Sequence, residues 1–422
     1  MSPNDACIIC LETSPPPNQS GCACRGDGGL AHIDCRIRAA ASQQAQRGDE
    51  VWWQCQTCKH DYTGAMRTGL AVAWRSRVAG QAPESSERLG AECNLAQALI
   101  GQGKYAQAEP MLLELRRVEM RVLGFLHPET LATNINLASA LSYQGKNAEA
   151  ERIERDVLAV QMRVLGAEHP ETLTTMSNLA LSISGQGKDA EAEQIQRELL
   201  EVQKRVLGAE HPLTLTTVAN LASSLSGQGK HFEAEQIERE LLRVRQRVLG
   251  AEHPETLKTA SNLAASLGDQ CKFAAAAAIQ RELLGVQTRV LGEEHPDKLT
   301  TASNLAVSLS GQGRLAEAEQ MLEDVVASRK RVLGPSHPAT LHAASILGNM
   351  LEQIRSTRPT NAAAPTVAAP ALPLPAGSRV YSSRSATVSC SGQWAKSGWS
   401  RDSSRKQTLT LTLFQRLLAK LS

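Results

Sequence analysis

Aromatic side chains are scarce in this 422-residue chain, at 3% beside a hydrophobic share of 42%. Strands rely on aromatic and β-branched residues for cross-strand contacts, so the deficit argues against a β-rich fold. Ala, Leu, Glu and Gln are abundant instead, which predicts a mainly α-helical protein. No apolar run approaches the roughly 18 residues that a membrane span needs, and Met1 leads into a polar, cysteine-bearing segment rather than a signal sequence. The expectation is a soluble protein of the cytoplasm or nucleus. A nucleophile triad, a phosphate-binding glycine loop and a helical His-Glu zinc-protease motif are also missing, which predicts no self-contained active site.

Charge is nearly balanced at +2, yet unevenly placed: from Arg355 onward ten Lys or Arg residues face a single acid, Asp402. Residues 358–378 are Ala- and Pro-rich and 379–406 Ser- and Arg-rich, a composition that predicts disorder. Leu409 to Leu421 has the spacing of a short amphipathic helix. Without aromatic interleaving, the basic tail does not point to nucleic acid.

Seven of the ten cysteines precede residue 60, while Cys93, Cys271 and Cys390 lie far apart. Metal-bound thiolates in a reducing compartment fit this better than a disulfide framework. Cys7 and Cys10, Cys22 and Cys24, His32 and Cys35, and Cys55 and Cys58 form four pairs. Eight ligands make two four-coordinate sites, and zinc prefers thiolate and imidazole in closed tetrahedra, so two zinc ions are expected. Turn-forming residues between the ligands, such as Pro15 to Pro17 and Gly26, leave little regular structure, so metal binding and folding form one event.

The ligand order, with one residue between Cys22 and Cys24 and seven between Cys24 and His32, resembles the RING-CH finger of ubiquitin ligases more than the related PHD finger. The resemblance implies a cross-brace in which Cys7, Cys10, His32 and Cys35 hold the first zinc and Cys22, Cys24, Cys55 and Cys58 the second. It also implies that the finger grips a charged ubiquitin-conjugating enzyme, with Ile9 and Lys59 at positions that touch the enzyme or ubiquitin. The family places a tryptophan where this chain has Ala40. Trp52 and Trp53 either fill that contact from another direction or form the core of the finger.

Met66, Leu70, Val72, Ala73, Trp74 and Val78 predict a linker helix within 63–84, packed on the 1–62 finger, with a domain boundary near residue 82. Beyond it, His-Pro pairs at His127, His169, His211, His253, His295 and His337 recur every 42 residues, the signature of a stacked solenoid over 85–353, with a tail over 354–422. In the third unit Pro170 opens a helix with the stripe Leu173, Met176, Leu179, Ala180 and Ile183. After the Gly185-Gln186-Gly187 turn a second helix starts near Lys188, with Ala192, Ile195, Leu199, Val202 and Val206 on one face. Asn-Leu-Ala segments at Asn178, Asn220, Asn262 and Asn304 and Gln-Gly-Lys turns resemble tetratricopeptide repeats of the kinesin light chain type, which implies a protein-binding scaffold. Edge units depart from the pattern: Ser85 stands for the first His, Ile346 for the seventh Asn, and Cys271 for a turn glycine.

Histidines in register invite a metal ladder, but helix axes alone pack about 8 to 10 Å apart, too far for shared ligation, so capping is expected. Asn94, Asn136, Asn178, Asn220, Asn262 and Asn304 sit mid-helix, where asparagine has no intrinsic advantage. Two readings stand open, a peptide-binding groove or a brace between repeats. Lys258 alone offers the cation that a carboxylate clamp would need. Together these features point to a soluble ubiquitin ligase that selects a substrate protein through its repeats, with a noncatalytic adaptor as the rival.

Overall fold

The computed structural model describes residues 6–19 and 30–357, so Cys22, Cys24 and the expected tail helix lie outside the described residues. Among these the chain is mainly helical, with fifteen α-helices and one two-stranded ribbon. It divides into two compact units between Gln186 and Gly187. No described helix is long and apolar enough to cross a membrane.

The first unit begins with β1 (Asn18–Gln19) paired antiparallel to β2 (Leu30–Ala31). Next come α1 (Ile33–Arg47), a 3₁₀ turn over Asp49–Trp52 and α2 (Gly64–Arg77). Three tryptophans form the core between them. Trp52 stacks on Trp74 with centroids 6.3 Å apart, and Trp53 tilts against Trp74 at 5.7 Å. Val51, Tyr62, Met66, Leu70 and Val78 pack around the rings. The apolar stripe of α2 therefore runs Met66, Leu70, Trp74 at four-residue spacing. Val72, expected on that stripe, is exposed, because two residues beyond Leu70 it lies on the opposite side of the helix.

α2 packs equally on α3 (Ser86–Gly101), where Ala91 joins the tryptophan cluster. Gly90 lies under the Trp74 ring, so a Cβ there would sit 3.3 Å from Cη2. Arg75 pairs with Glu92 at 2.8 Å, and Gln44 donates to Glu87 at 2.8 Å. The segment near residue 82 is thus a tight turn between two packed helices.

The unit continues with α4 (Tyr105–Val122), α5 (Pro128–Tyr143), α6 (Asn147–Val164) and α7 (Pro170–Ser184). The second unit holds α8 (Asp189–Val206), α9 (Pro212–Gly227), α10 (His231–Leu249), α11 (Pro254–Asp269), α12 (Phe273–Leu291), α13 (Pro296–Gly311), α14 (Leu315–Leu333) and α15 (Pro338–Thr357). Within each unit consecutive helices pack antiparallel. The first helix of a pair is buried almost all round, as in α5, where every residue from Thr130 to Leu141 is buried.

Each repeated histidine caps the helix it precedes. Nδ1 of His127, His169, His211, His253, His295 and His337 accepts the backbone N–H two residues on, at 3.2 to 3.3 Å. That satisfies one of the donors a helix start leaves unpaired, while the proline after it has no N–H to satisfy. Ser85 does the same for α3, accepting from the Arg88 N–H at 3.4 Å. A glutamate on the second helix then ties neighbouring pairs together. Glu109 receives Gln144 at 2.8 Å and Lys146 at 2.7 Å, and Glu193 receives Gln228 at 2.6 Å and Lys230 at 2.9 Å. Burial pushes the Glu193 carboxyl up, but Lys230, Gln228 and Arg197 outweigh it and hold the group down to about 2.

Cys271 occupies a left-handed turn position at φ 59°, where the equivalent Gly229 and Gly313 have φ 79°. Any side chain there carries a steric cost that glycine avoids. Replacing Cys271 with Gly is therefore expected to raise stability by up to about 1 kcal/mol, read as an upward shift in thermal unfolding. In the same assay, His253→Ala is expected to cost about 1 kcal/mol and His253→Asn less, since asparagine caps through its own oxygen.

Candidate functional site

The site forms where the ribbon meets the start of α1. His32 is the N-cap of α1 and Cys35 stands in its first turn, so the helix presents both to the loop carrying Cys7 and Cys10. The four ligand atoms all lie within 4.8 Å of one another. Nδ1 of His32 faces the Cys10 sulfur at 3.2 Å and the Cys35 sulfur at 3.8 Å. Its other nitrogen, Nε2, lies 2.5 Å from the Pro15 carbonyl oxygen, which fixes the ring with Nε2–H donating and Nδ1 free to ligate.

The surroundings favour negative charge on sulfur. The His32 backbone N–H donates to the Cys7 sulfur at 3.4 Å, and Arg38 donates to the Cys35 sulfur at 3.4 Å. Burial pushes the Cys7 thiol up, yet backbone N–H groups of Cys10, His32 and Ile9 prevail and bring it to about 6. At Cys10 a backbone hydrogen bond to Glu12 acts downward, but burial and the neighbouring Cys7 and Cys35 sulfurs win and raise the thiol. Three thiols this close resist ionising together unless a cation sits among them. Three sulfurs and one imidazole, drawn together and partly stripped of water, are a donor set suited to zinc.

Cys55 and Cys58 build a second loop with the same backbone pattern. In the first loop the Cys7 N–H donates to the Glu12 carbonyl and the Leu11 N–H to the Cys7 carbonyl, at 2.9 and 2.8 Å. In the second the Cys55 N–H donates to the His60 carbonyl and the Lys59 N–H to the Cys55 carbonyl, both at 2.9 Å. Each turn closes on a non-glycine residue with positive φ, Leu11 at 63° and Lys59 at 59°. The remaining ligands expected for this pair, Cys22 and Cys24, lie outside the described residues.

The other expected site residues divide by exposure. Ile9 is 41% exposed on the first loop, flanked by Ile8 at 48% and Leu11 at 79%. Lys59 is exposed and donates to Gln56 at 3.2 Å. Trp52 and Trp53 are buried in the tryptophan cluster, so the core takes them and leaves no ring for a partner. All six repeat asparagines are buried as well. Asn94, Asn178 and Asn220 each keep an amide atom with no hydrogen-bond partner among the described residues. Lys258 pairs with Glu255 at 3.0 Å on its own helix.

Sequence reasoning did not find Pro15, Arg38, Ile8 or Leu11. Arg38 follows Cys35 by three residues on a helix, a spacing that puts both on one face and could have been read. The Pro15 carbonyl carries no signal, since any residue supplies one.

Residues 87–163, 171–247 and 214–285 match one family model described as a tetratricopeptide repeat, and residues 299–339 match another of the same description. No curated protein matches the chain. Among solved structures, nearly identical TPR-like repeats of a Podosopora anserina kinesin light chain share 27% identity, over 49% of this chain and 97% of that one, with a TM-score of 0.44. BtubC (BKLC) from P. vanneervenii shares 18% over 55% and 92%, with a TM-score of 0.44. A Rap protein complexed with Competence and Sporulation Factor shares 11% over 77% and 99%, with a TM-score of 0.43.

Changing Cys10 or Cys35 to Ser is expected to lower zinc content by one equivalent per chain, measured by elemental analysis of purified protein. An unchanged stoichiometry would mean that this donor set holds no ion.

Proposed function

Because the chain belongs through its repeats to the tetratricopeptide repeat family, we propose that it is a protein-binding scaffold whose N-terminal finger is of RING-CH type and recruits a ubiquitin-conjugating enzyme. The 42-residue period and the Asn-Leu-Ala segments support a kinesin light chain-like subtype for the repeats. The observation that carries the finger's role is the exposed apolar surface of Ile8, Ile9 and Leu11, directly on a loop that the Cys7, Cys10, His32 and Cys35 set would lock. A small domain that exposes three large aliphatic residues side by side has a use for them at an interface. Lys59, on the matching loop, supplies a cation for ubiquitin or the enzyme.

Two zinc ions complete the finger in this reading, and the shared hydrogen-bond pattern of the two loops supports the second. Cys22 and Cys24 would join Cys55 and Cys58 there. The finger spans 1–62, α2 lies within 63–84, the repeats cover 85–353 and the tail 354–422. The finger itself forms no covalent bond. Ubiquitin leaves the partner's cysteine thiolate as its terminal carbonyl bonds to a substrate amine, which loses a proton. The repeats hold the substrate protein, and the asparagine row is where an extended segment would be met.

Ala40 favours a second reading. It is buried beside the tryptophan cluster, so no ring is presented at that position. The finger would then dock partners without activating them, and the protein would be an adaptor.

Reconstitution with a ubiquitin-activating enzyme and a panel of conjugating enzymes separates the two. Wild type is expected to build ubiquitin chains with at least one enzyme, and Ile9→Ala to reduce this at least tenfold with zinc content intact. Two bound zincs with no chains from any enzyme would leave the adaptor. For the repeats, Asn220→Ala is expected to weaken partner capture at unchanged thermal stability; a fall in stability alone would make the asparagine a brace.

A further inference from the structure

Two carboxylates are sealed inside the first unit with no ion pair to a cation among the described residues. Glu119 on α4 and Glu154 on α6 are each 1% exposed, and Oε2 of each has no hydrogen-bond partner among the described residues. The repeats supply an internal comparison. In register with Glu119 stand Gln161, Gln203 and Gln287, and in register with Glu154 stand Gln196, Glu238 and Gln280, all buried. A neutral carboxylic acid has nearly the shape and hydrogen-bonding capacity of that amide, whereas a carboxylate does not. Where a cation occupies this register, it has its own oxygens: Arg245 donates to the Thr259 hydroxyl at 2.7 Å and the Glu255 carbonyl at 3.0 Å.

We infer that Glu119 and Glu154 are held as neutral acids between helices, making the first unit a pH-responsive element that loosens as they ionise. Among the described residues the neighbouring helices offer the charged form only a hydroxyl each, Thr133 of α5 to Glu119 and Ser182 of α7 to Glu154, and burial outweighs both. On α3, Glu92 pairs with Arg75, and Arg88 donates to the Gln81 carbonyl. α5 brings Glu129 and α7 brings Glu171, both acids. On their own helices, Glu114 pairs with Arg117 and Glu151 with Arg155. Burial is the main cause that pushes Glu119 up to about 7 and Glu154 up to about 8, and nearby Glu129 and Glu151 act in the same direction.

The direction of the effect follows from linkage. An unfolded glutamate ionises near about 4.3. Between there and the folded values, the native unit keeps protons that the unfolded chain releases. The stability these two groups contribute is therefore greatest below the unfolded value and falls as pH rises through the window between, by about tenfold in the folding equilibrium per pH unit and per group. The fall ends once pH passes the folded values. Partner binding that depends on α4 to α7 would share this dependence, whether or not the finger recruits a conjugating enzyme.

Hydrogen exchange on the full, zinc-loaded chain from pH 5.5 to 8.5, corrected for the intrinsic chemical rate, tests the inference. The opening constant of α4 to α7 is expected to rise by more than tenfold in wild type and in the surface control Glu114→Gln. It should stay level in Glu119→Gln/Glu154→Gln. A flat wild-type profile, or a double variant that rises as steeply as wild type, would overturn the inference. Should the double variant fail to fold, infrared spectra of wild type decide. A buried carboxylic-acid carbonyl band present at pH 6 and lost by pH 9 supports the inference, and its absence at pH 6 refutes it.

Discussion

No helix of this chain can bury its apolar stripe alone, and the rest of the structure follows from that constraint. Leu299 on α13 is 3% exposed because α14 folds back over it, while Leu341, the equivalent residue of α15, is 57% exposed. The two leucines have the same place in the repeat, and among the described residues only Leu299 has a following helix packed over it. Burying such a side chain contributes about 1.5–3 kcal/mol, so each pair depends on its neighbour. The glutamate braces and histidine caps act within this arrangement. They satisfy the polar groups that stacking would otherwise strand at the helix ends, as at Glu109 and His127.

Most of this stacking is legible in the sequence. Period, caps and stripes are local signals, and Leu173, Met176, Leu179 and Ile183 are buried as the 3.6-residue pattern requires. What the pattern does not convey is how many sides of a helix are covered. The asparagines, threonines and serines of α5 read as the polar face of an amphipathic helix, yet they are buried because another helix lies on that side too. Glu119 and Glu154 belong to the same class. A glutamate near the middle of a helical segment usually faces water, and only the packing of the next pair reveals that these do not.

In the finger, cysteine and histidine spacing is the readable part, because two ligands three apart can bend the chain round one ion. What orients the ligands is less visible. The His32 ring is aimed by a backbone carbonyl at Pro15, and the Cys7 thiol is brought down by backbone N–H groups, none of which depends on a particular side chain. Trp52 and Trp53 show the converse. Their types left a contact surface and a core both open, and a third ring, Trp74 on the next helix, supplies the partner that buries them.

Trp74 also joins the two halves of the first unit. Its ring meets Trp52 and Trp53 as well as Gly90 of α3, so α2 serves both the finger and the first repeat. A helix that belongs to two cores transmits disturbance between them, since neither core stays close-packed if the helix shifts. Metal in the finger would therefore steady the first repeats as well as its own loops. The repeats in turn would hold the exposed Ile8, Ile9 and Leu11 surface at a fixed angle to whatever α3 to α7 bind. For a scaffold that must bring two proteins within reach of each other, a shared helix defines their geometry where a flexible linker would only tether them.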